Sequence, residues 1–203
     1  MMYLWGGMYD TELRRLKNRM LNTLLPLFLT GIYPFVYTMV ALLFGVLTIV
    51  TVISGEYILA GIFWIFNRFF DILDGYTAVK SEKSSGRGAL LDLFFDFVSY
   101  LGIMVAIIFI NMDDLGIILV GSLLLASYCM NLLLWQYPLV LNPELEMPRG
   151  IVEGFETAIF YSIFLFFPCV LFYSLSLFLI LMIVTVLHRL FFGIRITSWT
   201  NRT

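Results

Sequence analysis

Four aspartates, Asp71, Asp74, Asp92 and Asp96, fall in stretches that are otherwise apolar enough to cross a membrane. The run from Phe66 to Tyr100 reads FNRFFDILDGYTAVKSEKSSGRGALLDLFFDFVSY. A carboxylate at bilayer depth costs roughly 2.5–3.5 kcal/mol on insertion scales, and several together repel one another as well. A bound divalent cation is the simplest offset, because hard dications take oxygen ligands and are the largest local charges in a site. A purely structural or proton-relay role is the competing reading. Asp71 and Asp74 are three residues apart and Ala78 follows four later, so the three share one helical face. Gly88, Asp92 and Asp96 recur at intervals of four and again share a face.

The elements that carry these residues follow from composition. The chain has 203 residues, 61% hydrophobic and 13% charged, with a mean hydropathy of +0.96. A water-soluble domain of this size could not bury so much apolar surface, so the solvent is lipid. One domain, residues 1–203, is expected: an all-α integral membrane protein with six transmembrane helices and an N-terminal interfacial amphipathic helix. That helix is read over 9–24, where Leu13, Leu16, Met20 and Leu24 oppose Arg14, Arg15, Asn18 and Arg19. The six-helix bundle occupies 35–192. Its spans are placed at Phe35–Ser54, Tyr57–Val79, Gly88–Ile110, Leu115–Tyr137, Gly150–Tyr173 and Leu175–Phe192, the last two joined by a turn around Phe172–Ser174.

Basic residues set the orientation. Of the 12 Lys and Arg, four lie on the amphipathic helix, three in Lys80–Arg87, one at Arg149 and three near the C-terminus (Arg189, Arg195, Arg202). The twelfth, Arg68, lies within the second span, and the three opposite turns carry none. The positive-inside rule then makes both termini and the charged loops cytoplasmic, in the cell membrane. No cleavable signal peptide is expected, because Arg14, Arg15, Lys17 and Arg19 interrupt the start. Depth can be counted from Lys80 and Arg87 at ~1.5 Å per residue. Asp71 and Asp96 then lie ~13 Å in, and Asp74 and Asp92 ~8–9 Å in, two carboxylates at each level of a cytoplasm-facing cavity. Arg68, one turn deeper than Asp71 on its face, is read as an ion-pair partner.

With these residues in place, the stretch D71-x-x-D74-G75-x-x-A78-V79-x8-G88-x-x-x-D92-x-x-x-D96 resembles the signature of the CDP-alcohol phosphatidyltransferase family. Seven of its eight fixed positions agree, with every spacing kept. The Pro34-x-x-x-Thr38 lead-in to the first span is similar to the family too. One position departs: Val79 stands where the family has arginine, with Lys80 beside it. The resemblance implies transfer of a substituted phosphate from a CDP-linked donor, a CDP-lipid, to an alcohol hydroxyl, with release of CMP. It implies Mg²⁺ or Mn²⁺ held by Asp71, Asp74, Asp92 and Asp96, and Asp96 as general base. It implies a CDP pocket of Gly75, Ala78, Ser85 and Gly88, with Lys80 as a substitute for the missing arginine. A homodimer is implied in the same way, and no nucleic-acid partner.

Remaining polar residues have plainer readings. Glu153 and Glu156 share a face and either shape an acceptor pocket or favour the N-terminal end of a helix dipole. Asn131 and Gln136 read as interhelical hydrogen-bonders, and Asp113 and Asp114 as a solvated turn. Cys129 and Cys169 read as buried small hydrophobes, and one histidine, His188, cannot build a histidine-rich metal site. Inositol, inositol phosphate, glycerol phosphate and serine are all open as acceptors. Lys80, Lys83, Arg87 and Arg149 lean towards a phosphorylated one. Two other functions compete: a cation transporter using the aspartates as a path, and a non-catalytic family member.

Overall fold

The computed structural model describes residues 34–80, 86–141 and 150–200. The expected interfacial helix over 9–24 and the charged connections at 81–85 and 142–149 lie outside the described residues. Within them the chain is all-helical, with no strand. The helices are α1 (Pro34–Ile53), α2 (Tyr57–Lys80), α3 (Gly86–Ile110), α4 (Leu115–Leu141), α5 (Gly154–Phe166) and α6 (Leu171–Thr200), with a 3₁₀ turn at Pro168–Val170 before α6.

Local chemistry sets the ends. Pro34 opens α1, where its missing N–H costs nothing. Gly55 closes it with φ +79°, and the N–H groups of Gly55 and Glu56 donate back to Val52 and Thr51. That left-handed glycine with two back-bonds is a Schellman ending, which few side chains other than hydrogen tolerate. Asn111 ends α3 by donating Nδ2 to the Ile107 carbonyl at 2.8 Å. Asp114 Oδ1 caps α4 by accepting from the Ile117 N–H at 3.1 Å. The predicted turn at Asp113 and Asp114 is present, and both residues are exposed.

Among the described residues, four segments are long and apolar enough to cross a membrane: Phe35–Ile53, Leu90–Ile110, Leu115–Trp135 and Pro168–Phe192. Their exposed faces are lined by large apolar side chains such as Leu90, Leu115 and Leu133, each about two-thirds exposed. A surface of that kind is stable against lipid and not against water. α2 carries Arg68, Asp71, Asp74 and Lys80. α5 has 13 residues, a length of about 20 Å at 1.5 Å per residue.

The fifth element corrects the sequence reading. The expected helix over Gly150–Tyr173 is confined to Gly154–Phe166, and Phe172–Ser174 lies inside α6 instead of forming a turn. Pro168 is the cause, since it has no N–H to donate and its ring crowds the preceding turn. Phe167 leaves the helical region at φ −129°, ψ 61°. At the other end the Glu153 N–H donates to Glu156 Oε2 at 3.0 Å, and Gly150 N–H donates to Glu153 Oε1 at 3.1 Å. The two glutamates therefore cap a helix that starts four residues later than expected. Cys169, in the 3₁₀ turn, is exposed and not buried, while Cys129 is half-buried.

The chain divides into two compact units. One comprises residues up to Leu43 together with Phe66–Asp96. Its described core is small: Tyr37 and Leu73, flanked by Phe70 and Tyr76. Asn67, buried in α2, donates Nδ2 to the Ala41 carbonyl of α1 at 2.7 Å. The other unit comprises Phe44–Ile65 and Phe97 onward. Trp64 is fully buried there, with Tyr100 edge-on at 5.2 Å and Tyr161 at 5.5 Å between ring centroids. The Trp64 indole N–H is shared between Ser162 Oγ and the Ala158 carbonyl. Tyr161 donates to the Tyr100 carbonyl at 2.9 Å, so the indole N–H and the Tyr161 hydroxyl are both satisfied within this unit. α4 makes its most extensive packing against α6.

Candidate functional site

The carboxylates all belong to the first unit, on the parts of α2 and α3 that lie there. Asp71 of α2 and Asp96 of α3 are joined through Arg68. Its NH2 donates to Asp96 Oδ1 at 2.6 Å, and its NH1 lies 3.5 Å from Asp71 Oδ2. The expected ion pair is present and serves both helices.

Two residues that the sequence reading did not assign to the cluster hold it in shape. Thr38 of α1 donates Oγ1 to Asp74 Oδ2 at 2.6 Å, and both side chains are buried. A hydrogen bond this short to an ionised oxygen belongs to the strong class. Asn67 accepts from Arg68 Nε at 2.8 Å while its own amide reaches the Ala41 carbonyl. Backbone of α1, amide of Asn67, guanidinium of Arg68 and carboxylate of Asp96 thus form one continuous chain of bonds. The signal for Thr38 was present in the Pro34-x-x-x-Thr38 spacing, one helical turn after the proline. No pattern in the sequence joined it to Asp74.

Around the cluster, Gly75 is exposed, and among the described residues a Cβ there would meet nothing within 4 Å. Gly88 is exposed in the first turns of α3. Ala78, Val79 and Lys80 end α2, and their side chains lie outside the described residues, as does Ser85. The structure therefore places two of the five expected nucleotide-contacting residues, Gly75 and Gly88.

The donor set suits a hard cation. It consists of carboxylate oxygens, with a threonine hydroxyl in support, and one guanidinium is ion-paired to it among the described residues. One positive charge cannot balance four carboxylates in an apolar span. Arg68 sits between Asp71 and Asp96, where unmatched negative charge draws a cation in. As placed, no three acidic side chains among the described residues converge on a single point. The chemistry fits a divalent ion, and occupancy requires the carboxylates to turn towards it.

Elsewhere the polar residues of the spans resolve differently. Asn131 accepts from Arg189 NH1 at 2.6 Å, an interhelical bond of the expected kind, and the Gln136 side chain lies outside the described residues. Arg189, counted from sequence among the basic residues that set orientation, is only 4% exposed and is a buried partner instead.

An all-helical chain with apolar, lipid-facing spans and a carboxylate cluster within them is an integral membrane protein. The family profile for CDP-alcohol phosphatidyltransferase matches residues 32–191, and the chain belongs to that family of membrane enzymes. No curated protein matches it. Among solved structures it is similar to the Mycobacterium tuberculosis phosphatidylinositol phosphate synthase PgsA1 with CDP-DAG bound. That match has a TM-score of 0.70 and 20% identity, over 87% of this chain and 92% of that one. The same synthase in complex with manganese and citrate matches with a TM-score of 0.69 and 21% identity, over 85% and 86% of the two chains. At this identity the likeness is one of fold.

Proposed function

We propose that this chain transfers the lipid-bearing phosphate of a CDP-lipid to the hydroxyl of an alcohol, releasing CMP. The observation that carries this reading is the joining of two carboxylate-bearing helices through Arg68, which ion-pairs with Asp71 and Asp96, in a member of this family. The CDP-DAG in the similar synthase structure supports the donor, and the manganese in the other supports the metal. Asp71, Asp74, Asp92 and Asp96 are the residues that would hold Mg²⁺ or Mn²⁺. Such an ion neutralises charge on the diphosphate and on the departing CMP.

The chain's own residues supply the rest. Thr38 fixes one oxygen of Asp74, and Arg68 fixes Oδ1 of Asp96. Asp96 Oδ2 is then the atom that takes the proton from the acceptor hydroxyl. The acceptor oxygen forms its bond to the lipid-bearing phosphorus, the bond from that phosphorus to the CMP oxygen breaks, and CMP leaves with the electron pair. Gly75 and Gly88 leave backbone room for the nucleotide, with Ala78, Ser85 and Lys80 completing the pocket. Lys80 supplies the positive charge that Val79 does not.

The architecture goes with this reading. We assign α2 and α5 as membrane-crossing elements, giving six spans in one domain, since α1, α2 and α3 each contribute residues to both units. The aspartates and both termini face the cytoplasm, and the chain works as a homodimer. The decisive assay is CMP release from CDP-diacylglycerol by the full chain in lipid nanodiscs. Turnover is expected to require Mg²⁺ or Mn²⁺ and to vanish in Asp92→Asn. Turnover that persists in chelator would refute the assignment, and cation flux into liposomes without CMP formation would favour the transporter.

A further inference from the structure

Arg68 occupies ground that a metal ion would also need. Its side chain is only 15% exposed, and each edge of the guanidinium is engaged. Nε donates to Asn67 Oδ1 at 2.8 Å, NH2 donates to Asp96 Oδ1 at 2.6 Å, and NH1 lies 3.5 Å from Asp71 Oδ2. Asn67 is itself buried and tied to the Ala41 carbonyl of α1, so the guanidinium hangs from a fixed point. All of these residues belong to one compact unit. Arg68 therefore holds oxygens from both acidic helices that could otherwise ligate a cation.

Two cations compete for those oxygens. A carboxylate oxygen that accepts from a guanidinium is a poorer donor to a metal, and a fixed positive charge a few ångströms from a dication repels it where screening is weak. The arginine has a use before the ion arrives. Carboxylates inside an apolar span are costly when unpaired, and the guanidinium offsets part of that cost in the metal-free protein. Its ion pairs with Asp96 and Asp71 differ in length. The Asp96 bond has the length of a strong charge-assisted pair, whereas the Asp71 contact lies at the outer limit of hydrogen bonding. Asp71 is thus the carboxylate more readily surrendered to a metal, while Arg68 keeps Asp96.

We propose that Arg68 is the resident counter-ion of the metal site. It holds Asp71 and Asp96 in the metal-free protein, yields Asp71 to the incoming ion, and so sets metal affinity below what the carboxylates alone would give. This rests on the reading of the aspartates as ligands for Mg²⁺ or Mn²⁺. The test is equilibrium binding of Mn²⁺ to the full chain in zwitterionic nanodiscs without CDP-lipid, read from the electron paramagnetic resonance of the unbound ion. Binding that disappears in Asp92→Asn is the share of the cluster. Arg68→Gln is expected to bind Mn²⁺ about tenfold or more tightly than wild type, and Arg68→Lys, which keeps the charge, to stay close to wild type. Equal or weaker binding by Arg68→Gln overturns the proposal, as does a tightening in Arg68→Lys as large as that in Arg68→Gln. If Arg68→Gln does not fold without metal, saturating Mn²⁺ is expected to restore a cooperative thermal transition, because an ion that binds the native state stabilises it. A variant that stays unfolded with metal present overturns the proposal too. If wild type binds no Mn²⁺ that Asp92→Asn removes, the metal reading and the proposal fall together. If the affinities follow the expected order but CDP-diacylglycerol yields no CMP with any alcohol, the transferase reading fails and the role of Arg68 stands.

Discussion

A hydroxyl from a neighbouring helix holds Asp74, which makes Thr38 the most testable residue around the cluster. Valine has nearly the same shape, so Thr38→Val removes the hydroxyl and keeps the bulk. Residues that orient metal ligands typically contribute 10–100-fold to metal affinity or activity. In Thr38→Val the Mg²⁺ concentration for half-maximal CMP release is expected to rise by about that factor, with saturating metal restoring the rate. An unchanged metal requirement would separate Thr38 from the ligand set. At this scale the sequence disclosed faces and not contacts. Intervals of three and four put Asp71 with Asp74, and Asp92 with Asp96, because helical periodicity is a local property. The Arg68 bridge and the Thr38 bond depend on how separate helices pack. They join residues as far as 36 positions apart, and no local period encodes them.

The element most changed from its sequence reading is the fifth. Hydropathy runs unbroken across Pro168, so a composition-based reading continued the span to Tyr173, while proline chemistry ended the helix at Phe166. The start moved for a different reason. Residues 150–153 are held outside the helix by bonds to side chains, including the Val152 N–H to Thr185 Oγ1 at 3.1 Å. Gly150 makes this possible, because a Cβ there would run into Thr185 Cγ2. Thr185 cannot rotate away without giving up its bonds to Val152 and to the Leu181 carbonyl. Gly150→Ala is therefore expected to destabilise the protein by about 1–3 kcal/mol, the usual cost of overpacking. Adding Thr185→Ser, which removes the methyl and keeps the hydroxyl, should recover most of that loss. Thermal unfolding of both variants in detergent measures it; equal losses in the single and double variants would put the strain elsewhere.

For the whole molecule, orientation is the main expectation that charge distribution supplies. Single cysteines placed at Ser54→Cys and Ser84→Cys, in a background of Cys129→Ala and Cys169→Ala, report it with a membrane-impermeant maleimide applied to intact cells. Ser54→Cys is expected to label from outside and Ser84→Cys only after permeabilisation, and the reverse pattern would invert the topology. Arg189 shows the limit of a charge count. Its positive charge is matched by Glu153 inside a cavity and is no free determinant of orientation.

The amino-acid order alone determined a helical chain for a lipid solvent and which carboxylates share a face, and its aspartate motif carried the resemblance to the family. The first two follow from composition or from a period of 3.6 residues, and both are local. The tertiary structure alone decided that Arg68 bridges two helices, that Thr38 and Asn67 brace the acidic cluster, and that Arg189 and Glu153 neutralise one another beside a cavity. Those are matters of distance between segments remote in the chain, and only packing sets such distances.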